Sequence, residues 1–257
     1  MLFWKLISVS LRSQMQYKSS FFMLSLSHFL GTFVDILGIW ILFDRFKLVQ
    51  GWTFPEVGLI YGIMNTGFAL AEAFSRGFDT FAQLIKYGDF DRLLLRPLSS
   101  LYQVALRELH AMRIGRFLQG IVVLVWSFSQ LSLPSSSSAL IVFSILGAAF
   151  LFYGLFVIQA TVSFWIIEAL ELMNVATYGG LQTGQYPISI YDKTFRFIFT
   201  FVIPIACVGY YPVASLLQRG SIPLWLGALF PLAGLVFLLL ACQFWHFGVR
   251  HYRSTGS

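Results

Sequence analysis

The sequence predicts an all-α integral membrane protein of six transmembrane helices, with an interfacial helix at its N-terminus and a short amphipathic helix in its largest polar loop. Three observations carry that reading. Of 257 residues, 58% are hydrophobic and only 11% charged, against roughly 45–50% and about 25% in soluble domains. Six separate apolar runs occur, each at least about 17 residues long, the lower limit for a helix that spans the hydrocarbon core. The Lys and Arg residues fall almost entirely on one side of those runs.

The chain reads as one membrane domain over residues 1–257. In residues 1–20, Phe3, Trp4, Ile7 and Leu11 share one helical face while Lys5, Ser8, Arg12 and Gln16 share another, the pattern of a helix lying in the membrane interface. No small-residue cleavage site follows, so this helix is expected to be retained. Residues 21–75 hold spans one (21–43) and two (57–74). A polar loop covers 76–116, and residues 117–167 hold spans three (117–133) and four (139–167), separated by Pro134 and four serines. A cytoplasmic connection is expected over 168–194, with a flexible stretch around Gly180 and Gly184. Residues 195–247 hold spans five (195–213) and six (222–247), and 248–257 form a tail. Pro204 should kink span five, and Tyr210, Tyr211 and Pro212 then stand at the outer interface.

Six spans place both termini on one side. Of the 17 Lys and Arg residues, only Arg45, Lys47 and Arg219 fall on the other side. Because basic residues resist translocation, the termini and the 76–116 loop are expected in the cytoplasm. The net charge of +6 is then topological and calls for no nucleic acid. Cys207 and Cys242 lie inside apolar runs, which excludes a disulfide framework or a CxxC metal site and leaves them as packing residues.

The 76–116 loop is the most informative stretch. Phe78, Phe81, Leu84 and Ile85 repeat at helical spacing, Asp79 is placed to cap the start, and Gly88 is placed to end the helix after Lys86. Its apolar face must pack on the membrane surface, on the bundle, or in a groove of another protein. Asp89 and Asp91 precede a run of three leucines that Arg96-Pro97 breaks.

A few polar residues stand inside the spans. Asp35 in span one costs about 2.5–3.5 kcal/mol at a helix centre in hydrocarbon, so it should face the bundle interior, a dimer interface or a watery cavity. A hydrogen bond to a neighbouring helix is the preferred reading, and a place on a transport pathway the other. His28 lies seven residues earlier near the same face; a satisfied polar pair with Asp35 is preferred over a proton relay. Glu72 is expected to reach water or to pair with Arg76 four residues on. Gly58 and Gly62 form a GxxxG that permits close helix approach, within the subunit or at a dimer seam. Glu168 and Glu171, three apart, read as capping or solvated groups in preference to a metal site. HExxH and GxSxG are absent and the four histidines are scattered, which leaves little ground for an enzyme.

The run GDFDRLLLRPLSSLYQV, residues 88–104, resembles the first cytoplasmic loop of type 2 ABC permeases of the six-span bacterial ABC-2 branch. The stretch Tyr186 to Leu217 is similar to that branch's fifth span, and FWHFGVRHYRSTGS to its closing segment. The resemblance implies a permease subunit that pairs with a second copy or a related permease and docks onto separate ABC ATPase subunits. It implies that Phe78, Asp79, Phe81, Leu84, Ile85, Lys86, Asp89, Asp91 and Arg92 couple the chain to that ATPase, and that charging Phe81 and Leu84 uncouples transport while insertion survives. His28, Asp35, Gly58, Gly62 and Glu72 are the candidates for a pathway or an interface. No GxxxxGK[ST] phosphate loop occurs, so the chain is expected to bind no cofactor itself, with ATP and Mg on the partner. Export, through the bacterial inner membrane, comes from the resemblance alone. The aromatic and apolar composition would suit a hydrophobic or amphipathic cargo such as a drug, peptide or lipid. The rival readings are an ATP-independent carrier or channel and, behind it, a non-transporting scaffold.

Overall fold

In the computed structural model, residues 18–108, 111–166, 170–220 and 222–253 are described. The expected interfacial helix falls almost wholly outside them, as does Glu168.

Helix α1 (Lys18–Phe46) buries a narrow stripe of Thr32, Ile36, Ile39 and Phe43, spaced at three and four, and leaves most of its other side chains exposed. At 29 residues it is roughly 43 Å long, enough to project beyond a hydrocarbon core or tilt within it. A tight loop follows, in which Lys47, Gln50 and Gly51 take positive φ. Helix α2 (Phe54–Ala73) then starts with Pro55 in its first turn and the Glu56 carboxylate accepting from the Thr53 amide at 2.7 Å, a reciprocal N-terminal cap.

Helix α2 is the axis of the molecule, with nearly every side chain buried. It lies between α7 (Ile114–Gln130) and α8 (Ser137–Val162). The contact with α7 is made close by glycine. A Cβ at Gly62 would stand 2.7 Å from the Cβ of Leu124 and 3.0 Å from its Cα, and one at Gly120 would meet Thr66 Oγ1 at 2.6 Å. Gly58 faces Ser127 on the same helix. The Gly58/Gly62 pair is therefore spent on packing inside this subunit, which decides between the two seams the sequence allowed.

Helix α8 packs along α14 (Leu232–His251), whose first turn abuts Gly147. Between α2 and α7, the chain folds into four short helices, α3 (Arg76–Asp79), α4 (Phe81–Lys86), α5 (Asp89–Leu94) and α6 (Ser100–Ala105). Helix α9 (Leu170–Gly184) packs on α2 and α8.

Among the described residues, three helical stretches are long and apolar enough to cross a membrane: α1, α8, and α13 (Leu224–Leu229) taken with α14. A fourth results if two limbs, Lys193–Val202 and Ile205–Leu216, form one broken span; they meet at 72°. The first limb holds α10 (Lys193–Phe197) and a π turn, Ile198–Val202; the second holds α11 (Ile205–Val208) and α12 (Tyr210–Leu216). Here the expected kink is a full break, because Ile203 is extended and Pro204 has no amide hydrogen to continue the helix. Tyr210 to Pro212 lie in the second limb, with Pro212 buried.

The other two expected spans are helices that fall short by length and composition. Helix α7 has 17 residues. Helix α2 has 20, but Glu56, Asn65, Thr66 and Glu72 lower its apolarity. All four are buried by protein, so no hydrocarbon has to accept them.

Candidate functional site

Short helices α3 to α6 form a hairpin-like segment at one end of the bundle, and its two faces differ. Gly88, at φ +70°, closes α4, as the sequence predicts, and also opens α5. The inner face is aromatic. The Phe81 ring lies 4.8 Å from Trp245, 5.1 Å from Phe90 and 5.1 Å from Phe164, while Phe78 meets Tyr153 at 5.6 Å. The Trp245 indole N–H donates to Ser100 Oγ at 3.2 Å. Phe78, Phe81, Leu84 and Ile85 are all buried against this chain's own helices. Of the three covers the sequence allowed for that face, the bundle is the one found.

The outer face carries Lys86, Tyr87, Arg92 and the run Leu94 to Leu98, all exposed, Leu95 at 86%. Two hydrogen bonds from Gln103 Nε2, to the carbonyls of Leu93 (3.0 Å) and Leu98 (2.9 Å), hold that run in shape. Arg92 also pairs with Asp89 at 3.5 Å. Beside them is a hollow of about 530 Å³ whose lining includes Arg92, Leu93, Arg96, Leu98, Tyr102 and Arg107. It joins three guanidinium groups to an apolar floor.

Asp79 is not the expected cap. It ends α3 with its carboxylate turned inward, accepting from Gln159 Nε2 on α8 at 3.2 Å and standing 3.8 Å from Arg76. The side chain of Asp192, by contrast, does cap a helix, accepting from the Phe195 amide at 3.0 Å. Burial pushes the Asp79 carboxyl up to about 6, against the opposing pull of Arg76 and the Gln159 hydrogen bond. The unfolded chain, with an ordinary carboxyl, loses this proton first. Stability therefore falls as pH rises from the ordinary carboxylate value to about 6. Asp79→Asn is expected to remove that loss, gaining on the order of 1–3 kcal/mol relative to wild type between pH 4.5 and pH 7. Thermal unfolding at the two pH values reads the difference, and parallel profiles would remove Asp79 from the account.

Behind the segment, Glu72 is the centre of a buried ionic cluster. Its carboxylate lies 3.0 Å from Arg113 and 3.8 Å from Arg116, and accepts from the Tyr178 hydroxyl at 2.8 Å. Arg113 also points Nη1 at the His28 ring, 3.2 Å from Nδ1, and Arg116 stacks over Phe68 at 5.0 Å. Four helical stretches meet here: α1, α2, the head of α7, and α9. The expected Glu72–Arg76 pair is not made, because the helix ends at Ala73 and Arg76 turns to Asp79 and to Glu108, 3.7 Å away. Nor do His28 and Asp35 pair. His28 is held by Arg113, whereas Asp35, half-buried midway along α1, has neither hydrogen bond nor ion pair with any described residue.

The opposite end of the bundle holds a pair the sequence reading did not single out. Arg219 donates from Nε and Nη2 to Glu56 at 2.7–2.9 Å and stacks on Trp52 at 4.8 Å. This fork ties the turn after α12 to the start of α2. A composition count reads Arg219 only as a charge outside the membrane; its Glu56 partner lies far away in sequence.

An all-helical integral membrane protein with ion pairs enclosed at both ends of its bundle is the class these features define. Residues 29–256 match the ABC-2 family transporter protein description, and the chain belongs to that family. No curated protein and no solved structure matches it. Permeases of this family are membrane subunits that lack their own ATPase and work with ABC ATPase subunits.

Proposed function

We propose that this chain is the permease subunit of a bacterial ABC exporter for hydrophobic or amphipathic compounds, driven by separate ATPase subunits that carry the ATP and Mg. Two permeases, identical or related, would form the conduit in the inner membrane, with both termini and the α3–α6 segment in the cytoplasm. Six spans complete this reading, α2 and α7 serving as the second and third. Their polar side chains are an argument for it, since protein rather than lipid surrounds α2 on the described faces. The lopsided Lys and Arg distribution supports the orientation.

The observation that carries the reading is the two-faced α3–α6 segment. Its inner face is fused to the bundle through Phe78, Phe81, Leu84 and Ile85, with Asp79 bonded to α8. Its outer face presents Lys86, Asp89, Asp91, Arg92 and the exposed leucines to a partner. Force on the outer face would pass to the bundle through that aromatic core. Nucleotide must favour one arrangement of the complex over another for such force to arise.

The experiment is affinity purification of the tagged chain in mild detergent with mass spectrometry of what stays bound. An ABC ATPase should be recovered with wild type and lost with Leu95→Glu/Arg96→Glu, whose side chains leave the core untouched, while thermal unfolding stays unchanged. Recovery of the chain alone, with solute flux in ATP-free liposomes, would replace the permease by a carrier or channel.

A further inference from the structure

Asp35 is the exception among the charged residues within the bundle. Glu56 is matched by Arg219, and Glu72 by Arg113 and Arg116. Asp35 lies about midway along α1, roughly 25 Å from the described start of the helix, and no described residue answers its charge. A carboxylate at such depth with no partner among the described residues is a candidate functional site.

Its surroundings form a notch. Gly31 and Gly38, one turn before and one turn after, are both exposed, and a Cβ at either would meet nothing within 4 Å. On the same helix the exposed Val34 borders it, and Leu42 lies two turns on along the same face. On the inner side, one turn back along α1, stands Tyr61 of α2. Tyr61 is fixed, since its hydroxyl donates to the Thr32 carbonyl at 2.8 Å and accepts from Gln119 Nε2 at 3.1 Å. The result is an intramembrane anion with room above and below it and apolar side chains at its edge. That combination suits a cation carrying a hydrophobic body, held by charge and by apolar contact. A second copy whose two-fold axis ran through this notch would bring two Asp35 carboxylates toward each other in hydrocarbon, which is unfavourable.

We propose that this notch binds a lipophilic cation, with Asp35 as its counter-ion. Given the permease reading, the cargo of the transporter is then a cationic amphiphile.

The test is equilibrium binding of two probes of one shape and opposite charge, tetraphenylphosphonium and tetraphenylborate, to the full chain in zwitterionic nanodiscs, corrected for empty discs. Wild type should prefer the cation. Asp35→Asn should lose about tenfold or more of the cation affinity, with the anion unaffected, whereas Asp35→Glu should keep most of it. Gly38→Leu, which fills the notch without meeting another atom at its Cβ, should weaken the cation as well. Equal cation affinity in wild type and Asp35→Asn would overturn the proposal, as would no binding above empty discs. A change from dimer to monomer in Asp35→Asn with cation binding intact would also overturn it, by assigning the notch to a second copy. Binding needs no ATPase. Failure to recover an ATPase would strike the permease reading alone, and loss of charge preference would strike this site alone.

Discussion

Replacing Glu72 with alanine is expected to cost about 3–5 kcal/mol, the penalty for removing one partner of a buried ionic group. In a chain of this size that lowers the melting temperature by roughly 10 °C. The reason is asymmetry of charge. Glu72 is the shared partner of two guanidinium groups that are themselves largely enclosed, and its loss strands both together with the Tyr178 hydroxyl. Glu72→Gln keeps an acceptor for Tyr178 and should recover part of the loss, but none that comes from charge. Combining Glu72→Ala with Arg113→Met should be milder than the sum of the two, by about 0.5–3 kcal/mol. The readout is thermal unfolding in detergent followed through the buried Cys207 thiol. Strict additivity would show that the cluster is not one unit.

Phe81→Asp/Leu84→Asp should unfold the α3–α6 segment rather than merely detach a partner. Deleting a buried phenylalanine costs about 3–5 kcal/mol, and a charge placed among Phe90, Phe164 and Trp245 adds an unpaired ion to that cost. Membrane insertion should persist, because α1, α8 and α13–α14 are untouched. Trypsin should then cleave at Lys86 or Arg92 at a protein-to-protease ratio that spares wild type. Uncoupling in this variant would follow from loss of structure, a correction to the sequence-based expectation that these two side chains reach the partner directly. Trypsin resistance equal to wild type would refute the inner placement of Phe81.

The contrast between these residues shows what the sequence could disclose. Long apolar runs made α1, α8 and the last helix legible, since length and composition alone define them. Gly88 was legible as a stop because a left-handed residue was needed there and glycine supplies it. The helical repeat of Phe78, Phe81, Leu84 and Ile85 revealed a face that must be covered, but periodicity carries no information about what covers it. Trp245, at the far end of the chain, does so. Glu72 was assigned to Arg76 because near neighbours are the only partners a linear reading can rank, whereas Arg113 and Arg116 reach it only after the segment folds back. Asp79 misled for a related reason: an acidic residue near a helix start looks like a cap until burial turns it toward Gln159. At Pro204 the sign of the effect was legible and its size was not, since a 72° bend depends on where each limb finds packing.

The enclosure of α2 has a consequence for how the chain is made. A segment with Glu56, Asn65, Thr66 and Glu72 gains little by leaving the translocon for lipid on its own. Its shelter, α7 and α8, is synthesised later. The nascent chain must therefore hold α2 at the edge of the translocation channel, or shielded by a chaperone, until those two helices emerge. With about 30–40 extended residues held in the ribosome tunnel, a chain stalled after residue 115 should leave α2 accessible to membrane-impermeant reagents, and one stalled after residue 205 should not. Assembly order is thus written into the helix that lies deepest.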